Sequence, residues 1–425
     1  MKGFLRLLSL TLCALMLLPL LGGCGAVGAV SVAKGGEATL AILLPAKPAA
    51  QVLYARDLFA GFVQNELGIT LDGDPAQASY RLLLGNTGEE KSIALAQELD
   101  GEGYLMRAWG KDLVVVASND AFLYDAVRAL LQNEGWVRLD RERGKMRISA
   151  SLDARGAGDT TSLRYLFTQT DTLTSTATHY ANLPNPEGLP TEQGGCFDGT
   201  YYYQAFLKKH TASNEAENVV RIGKFDYKTK ELVAYSEELP LNHANDITYC
   251  ASTGELYVAH NNPNRTRVSV LSAETLQLLR TEEIDARIYG ITYCAQRNAF
   301  AVALSDSQNM RMLNADLTLA DDRVLSGGAR TPNHTTQGIC SDDTFIYHVL
   351  WDGARKSKPT FQNEIVVYDF YGNLVGVIHF AIGVIEPENI SIGEGGQLLV
   401  VASTKNGGAL YEVRPVGPEA VTPRE

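Results

Sequence analysis

The chain has 425 residues, 45% of them hydrophobic and 20% charged, the make-up of ordinary globular protein with length enough for two or three domains. Its formal charge of −12 becomes −14 once the cations of the first segment, Lys2 and Arg6, are set aside, and no basic run offsets it. That balance argues against nucleic acid and anionic lipid surfaces as partners.

In chain order, Lys2 and Arg6 precede a largely apolar run of 15 residues, Leu7 to Leu21, and Leu21-Gly22-Gly23-Cys24 follows at once. The run is shorter than the roughly 20 residues of a membrane span. The segment resembles a bacterial lipoprotein signal with its lipobox. The resemblance implies that residues 1–23 are cleaved and that Cys24 carries a diacylglycerol on its sulfur and an acyl group on its new amine. The mature chain is then anchored by lipid in the cell membrane or outer membrane, outside the cytoplasm, and Gly25, where an aspartate would otherwise stand, favours the outer membrane. An ordinary secretory signal is the alternative. Residues 24–36, small and glycine-rich, read as a flexible tether. Gly23 to Gly28 also match G-x-G-x-x-G, but without the preceding strand and following helix that dinucleotide binding requires.

Residues 37–150 alternate in type. A buried-strand run, ATLAILLPA, leads into AAQVLYARDLFAGFVQNELGI, whose apolar residues recur at helical spacing. YRLLLGNTG is a second strand ending in a turn, GEGYLMRAWGKDLVVVAS a hairpin about Gly110-Lys111, and DAFLYDAVRALLQNEGW a second helix. The result is a small α/β sandwich. The segments LLLGNTGEE, GEGYLMRAWGKDLVVVAS and DAFLYDAVRALLQNEGW resemble the noncatalytic domain that precedes the barrel of hexosaminidases and α-glucuronidases. Asp120-Ala121-Phe122 departs from that family's glycine-rich helix start. The resemblance implies a fold and glycan-related company, and no barrel follows to supply catalysis. Residues 151–160 (SLDARGAGDT) read as a linker.

From 161 to 415 the texture is β-rich, and a motif recurs. Aligning Gln193-Gly194-Gly195-Cys196, Asn245-Asp246-Ile247-Thr248-Tyr249-Cys250, Tyr289-Gly290-Ile291-Thr292-Tyr293-Cys294, Gln337-Gly338-Ile339-Cys340 and Glu388-Asn389-Ile390-Ser391-Ile392 gives intervals of 52, 44, 48 and 51 residues. A second strand follows each copy after a turn, and usually a third. Such periods are those of propeller blades, and the repeat resembles generic propeller families of the YVTN and NHL type, without their signature repeats. The fold class is therefore α+β and multidomain: a small α/β sandwich followed by an all-β propeller of five blades, closed by a strand from SLRYLFTQTDTLTS, with residues 416–425 as a tail. A six-bladed ring and an open β-sandwich are alternatives. Cys13 leaves with the signal and Cys24 takes the lipid, so Cys196, Cys250, Cys294 and Cys340 remain, and their matching strand positions indicate buried free thiols.

The segment leading into each inner strand lies on one face of a propeller, where ligands bind. The leaders place Gln193, His243, Asn245, Asp246, Arg287, Tyr289, His334, Gln337, Glu386, Glu388 and Asn389 there, with Glu192 at the rim. Amides, carboxylates, imidazoles and a phenol are the inventory for a hydroxyl-rich ligand. Asp246, Asn389 and the glycines also suit turns that satisfy backbone donors. If the chain is an enzyme, Asp246 and Glu386 are the carboxylates to test as acid and base, with Glu388 beside them, although Asp171 is the only acid early in the first repeat. No G-x-S-x-G, H-E-x-x-H or Walker pattern occurs, and neither a metal nor a cofactor is called for. Three functions remain open: a binding module for carbohydrate or another envelope polymer, a glycan hydrolase or lyase, and a scaffold for a protein partner. The partners expected are the membrane, through the lipid on Cys24, and a glycan.

Overall fold

The computed structural model describes residues 29–208, 218–305, 309–325, 334–358, 362–405 and 407–417; for residues 321–325 it gives the backbone only. The signal-like segment, the lipobox-like residues with Cys24, leader residue Asn333 and residues 418–425 lie outside these. The chain divides into two compact units, Met1–Asp159 and Thr160–Glu425. Among the described residues no helix is long and apolar enough to cross a membrane.

In the first unit a five-stranded sheet runs in the order Leu40–Leu43, Tyr80–Leu84, Asp112–Ala117, Tyr104–Trp109, Asp153–Gly156. Its first three strands are parallel and its last two antiparallel to their neighbours. Leu83, Val114 and Val116 pack on Leu95 of the helix Glu90–Ala96, while Leu113 and Val115, on the alternate side, are equally buried. Burial on both faces explains why LVVV is apolar without interruption. The helices Ala50–Leu67 and Phe122–Gln132 pack on each other.

Two segments read as flexible are strands. Val30–Lys34, within the supposed tether, pairs with Lys145–Ile148 and Glu37–Ala38 in a second, four-stranded sheet that Val137–Asp140 completes. Val30 and Val32 are fully buried there; β-branched residues found an antiparallel partner more than a hundred positions away. Asp153–Gly156, within the supposed linker, is the edge strand of the five-stranded sheet. The glycines around it serve close packing. A Cβ on Gly156 would stand 2.3 Å from the Tyr104 hydroxyl, and one on Gly158 would stand 2.1 Å from the Phe122 ring.

The second unit begins with a helix where a strand was read. Ser162 Oγ accepts the Tyr165 N–H and caps Leu163–Gln169, and only then does Thr172–Leu183 extend as a strand. Sets of antiparallel strands follow. The first is Thr191–Phe197, Tyr201–Leu207, Val220–Asp226 and Leu232–Tyr235. The second is Asp246–Cys250, Glu255–Ala259, Arg267–Ser272 and Leu278–Glu283, and the third is Ile288–Cys294, Ala299–Leu304, Met310–Asn314 and Leu319–Leu325. Thr335–Ser341, Phe345–Trp351, Asn363–Asp369 and Leu374–Phe380 make the fourth, and Pro387–Ile392, Leu398–Thr404 and Gly407–Val416 the fifth. Thr172–Leu183 pairs antiparallel with Gly407–Val416 and parallel with Leu374–Phe380, joining the last two sets into one eight-stranded sheet.

The first strand of each set lies beside that of the next, and Pro387–Ile392 returns to Thr191–Phe197. Sheets radiating from a closed ring of inner strands make a β-propeller. Its core lies between sets, where Cys196, Tyr203 and Val220 meet Ile247, Leu256 and Val258, and where Cys250, Tyr257 and Val268 meet Ile291, Phe300 and Val302. All four cysteines described are free and buried. Burial pushes the thiols of Cys196 and Cys340 well up and that of Cys294 to about 11, so they are packing groups rather than nucleophiles.

Candidate functional site

The aligned positions Gly194, Asp246, Gly290, Gly338 and Asn389 meet at the axis. A Cβ on Gly194 would stand 2.5 Å from the Asp246 Cα, and one on Gly338 would stand 3.0 Å from Asp246 Oδ1 and 3.1 Å from the Asn389 Cα. Three glycines thus leave room for two side chains. Asp246 is fully buried; its Oδ2 accepts the N–H groups of Ile291 and Ile339, each at 3.0 Å, and its Oδ1 accepts that of Ile247 at 3.1 Å. Burial pushes its carboxyl well above the usual range, against the pull of those three donors. Asp246 therefore ties three inner strands together and is no part of an open mouth.

Asn389 has the same character. Its amide donates to the Gln193 carbonyl at 2.6 Å and to Gln204 Oε1 at 3.2 Å, and its oxygen accepts the Tyr202 hydroxyl at 2.7 Å. These bonds fasten the fifth set to the first. Asn245 Nδ2 donates to the Tyr289 carbonyl at 2.8 Å, and its oxygen accepts from Asn261 at 2.9 Å. The Tyr289 hydroxyl is buried against His348 Nε2 at 3.0 Å. His334 is buried as well, its Nε2 3.1 Å from the Gln362 carbonyl and 3.9 Å from Glu364 Oε1. His243 is half-buried, with its backbone N–H on the His260 carbonyl at 3.1 Å, and Arg287 is exposed. Gln193 is buried and turns its amide to the Glu192 carbonyl at 2.6 Å. Asp246, Asn389, Asn245 and Tyr289 thus hold the ring, and a continuous ring of ligand-facing leaders is not what the structure builds.

What the leaders do bring together is a group of carboxylates at the seam of the first, fourth and fifth sets. Glu192 is fully buried; its Oε2 accepts the Ser403 hydroxyl, and its Oε1 has no hydrogen-bond partner. Glu388 is 7% exposed, and burial, Glu386 and Glu192 together push its carboxyl well above the usual range while Ser403 pulls the other way. Glu386 is half-buried, accepts the Gln337 amide at 2.7 Å and is also raised, chiefly by burial, with Gln337 and Lys356 opposing. Among the described residues no cation stands within ion-pair distance of any of the three. Nor does any group of three His, Cys, Asp or Glu side chains there converge tightly enough to hold a metal ion.

Ser403 was missed from the sequence, though a signal exists. It closes the strand Leu398–Thr404, and its N–H donates to the Glu386 carbonyl at 3.1 Å. In an antiparallel pair, the end of the second strand lies beside the start of the first, so VVAS and the leader EPEN had to share a face.

Beyond the Asp246 plug, toward the far ends of the inner strands, lies a cavity of about 110 Å³. Phe197, Tyr249 and Tyr293 line it together with Thr248, Thr292 and Ser341. Tyr249 and Tyr293 also pack between neighbouring sets.

No family model matches the chain, and no curated protein matches it. Among solved structures it is similar to a glutaminyl cyclase from Myxococcus xanthus, at 14% identity over 57% of this chain and 98% of the other, with a TM-score of 0.41. It is also similar to streptogramin B lyase, at 11% identity over 56% and 97% with a TM-score of 0.32. For the β-propeller domain of Cps50 from Myceliophteria thermophila the figures are 13%, 56%, 69% and 0.31. Likeness of this order brings neither a reaction nor a ligand to this chain.

Proposed function

We propose that the protein is a lipid-anchored, extracytoplasmic binding module, with a five-bladed propeller and an accessory α/β domain, that takes a carbohydrate or another hydroxyl-rich envelope polymer on its leader face. The observation that supports this reading is the gathering of Glu192, Glu386 and Glu388 with Gln337 and Ser403 on that face. Carboxylates and planar amides are the acceptors and donors that sugar hydroxyls match, and Glu386 is accessible enough to meet them. The lipoprotein-like signal and the resemblance of residues 37–140 to glycosidase accessory domains point to the same setting. The test is a glycan array and a hydrolysis screen on the full-length chain in neutral detergent. A bound glycan whose affinity falls about tenfold in Glu386→Gln supports the reading; no bound and no cleaved glycan ends it.

A second reading, a glycan hydrolase, is favoured by one feature: Glu388 is pushed up by Glu386 and Glu192, as a general acid must be. Asp246, plugged by backbone amides, leaves that role to Glu386 and Glu388. Turnover in the screen that disappears in both Glu386→Gln and Glu388→Gln would establish it.

A further inference from the structure

We propose that the Glu192–Glu386–Glu388 cluster binds a primary ammonium group, so that the ligand is an amino sugar, or a polymer of one, with its amine free. This rests on the reading that the leader face binds a hydroxyl-rich ligand, and it specifies the chemistry of that ligand.

The argument begins with donors and acceptors. Three carboxylates are acceptors only when ionised, and the donors the protein turns toward them are the Ser403 hydroxyl, on Glu192 Oε2, and the Gln337 amide, on Glu386 Oε1. Glu192 Oε1 is fully buried and unpartnered. A buried acceptor without a donor costs about 1–3 kcal/mol, and more when charged, so it marks a place where a donor from outside belongs. Charge narrows the choice. Glu388 lies within electrostatic reach of both other carboxylates, and the cation that acts on the group, Lys356, reaches Glu386 only through space, without an ion pair. A sugar hydroxyl would bring one donor and no charge, and would leave the cluster to hold the proton that burial and like charge favour. An ammonium is compact, brings three donors and cancels one charge. A bare metal ion needs a converging set of ligands, which the described residues do not supply, whereas an ammonium can be held by one or two acceptors. Glu386 and Ser403 are half-buried, so one side of the cluster reaches the surface.

The experiment is calorimetric titration of the full-length chain in neutral detergent with a β-linked glucosamine tetramer and with its fully N-acetylated counterpart. The two share hydroxyls, and only the first carries ammonium groups. The free-amine form is expected to bind at least about tenfold more tightly, with the difference shrinking as salt rises from about 0.05 to about 0.5 M. Glu386→Gln and Glu388→Gln should each remove most of that preference, while Glu274→Gln, exposed on another set, should leave it intact. Using two variants guards against misfolding of the more buried one. Equal binding of both tetramers, or a preference untouched by both variants, overturns the ammonium proposal and leaves the hydroxyl-rich reading standing. Binding of neither overturns it too, and the glycan array then decides the reading beneath it.

Discussion

Asp246 and Glu388 are both buried carboxyls from leaders, and their surroundings give them different uses. Asp246 spends its oxygens on the N–H groups of Ile247, Ile291 and Ile339, whereas Glu388 is hemmed in by like charges and one hydroxyl. Folding raises the carboxyl of Glu388, which unfolds to an ordinary value of about 4.3. The folded state therefore holds its proton more tightly, so the stability this group contributes is complete below about pH 4 and is lost as pH rises through the folded value. The melting temperature should fall as pH rises above the ordinary carboxyl value, and Glu388→Gln, which carries no titrating proton, should fall less and overtake the natural chain at the alkaline end. Parallel slopes in thermal scans of the two proteins would contradict this assignment. The sequence puts these residues at neighbouring repeat positions, Asp246 opposite Asn389 and Glu388 one step before it. It does not show which of them the axis consumes, because that depends on three glycines in other repeats making room for one aspartate.

At the scale of elements, local pattern was a good guide wherever a strand or helix carries its own period, as in LVVVA or FLYDAVRALLQ, and a poor one wherever the partner is remote. Val30–Lys34 and Asp153–Gly156 look flexible in isolation and become strands only beside Lys145–Ile148 and Tyr104–Trp109. Leu163–Gln169 reads as a strand in isolation because Thr-rich sequence follows it closely, yet Ser162 caps it as a helix. The inner strands give a quantitative case. At Gly194 an added methyl would meet the Asp246 backbone at 2.5 to 2.7 Å; at Gly290 it would meet the ends of Ile339 and Asp246 and the Ala303 methyl at 3.1 to 3.2 Å. The clash at Gly194 is with backbone and needs a large shift, whereas contacts of 3.1 to 3.2 Å need their neighbours to give by only a few tenths of an ångström. Gly194→Ala should accordingly cost about 3 kcal/mol and Gly290→Ala about 1 kcal/mol, read from urea midpoints of the two variants. Losses of equal size would mean that the axis is not packed against Asp246 in the way described.

For the propeller as a whole, the repeat is legible in the sequence because every set must start with a strand that packs beside the next, so that Ile-Thr-Tyr-Cys can recur with only its leader altered. How the ring closes is written less plainly. The inner seam is held by Asn389 on the Gln193 carbonyl and on Gln204, and the outer seam by Thr172–Leu183, which covers Gly407–Val416 on one side and Leu374–Phe380 on the other. An uncovered edge strand pairs readily with a second chain. Replacing residues 172–183 with a glycine-serine segment of equal length keeps the chain continuous and bares both edges at once. The variant should associate, eluting above monomer mass in light-scattering chromatography, and should melt earlier than the natural chain, while Asn389→Ala should lower the melting temperature without association because the outer strand still covers the edges. If the strand replacement instead stayed monomeric with an unchanged melting temperature, the seam would be carried by Asn389 and its partners alone, and the outer strand would be a covering rather than a closure.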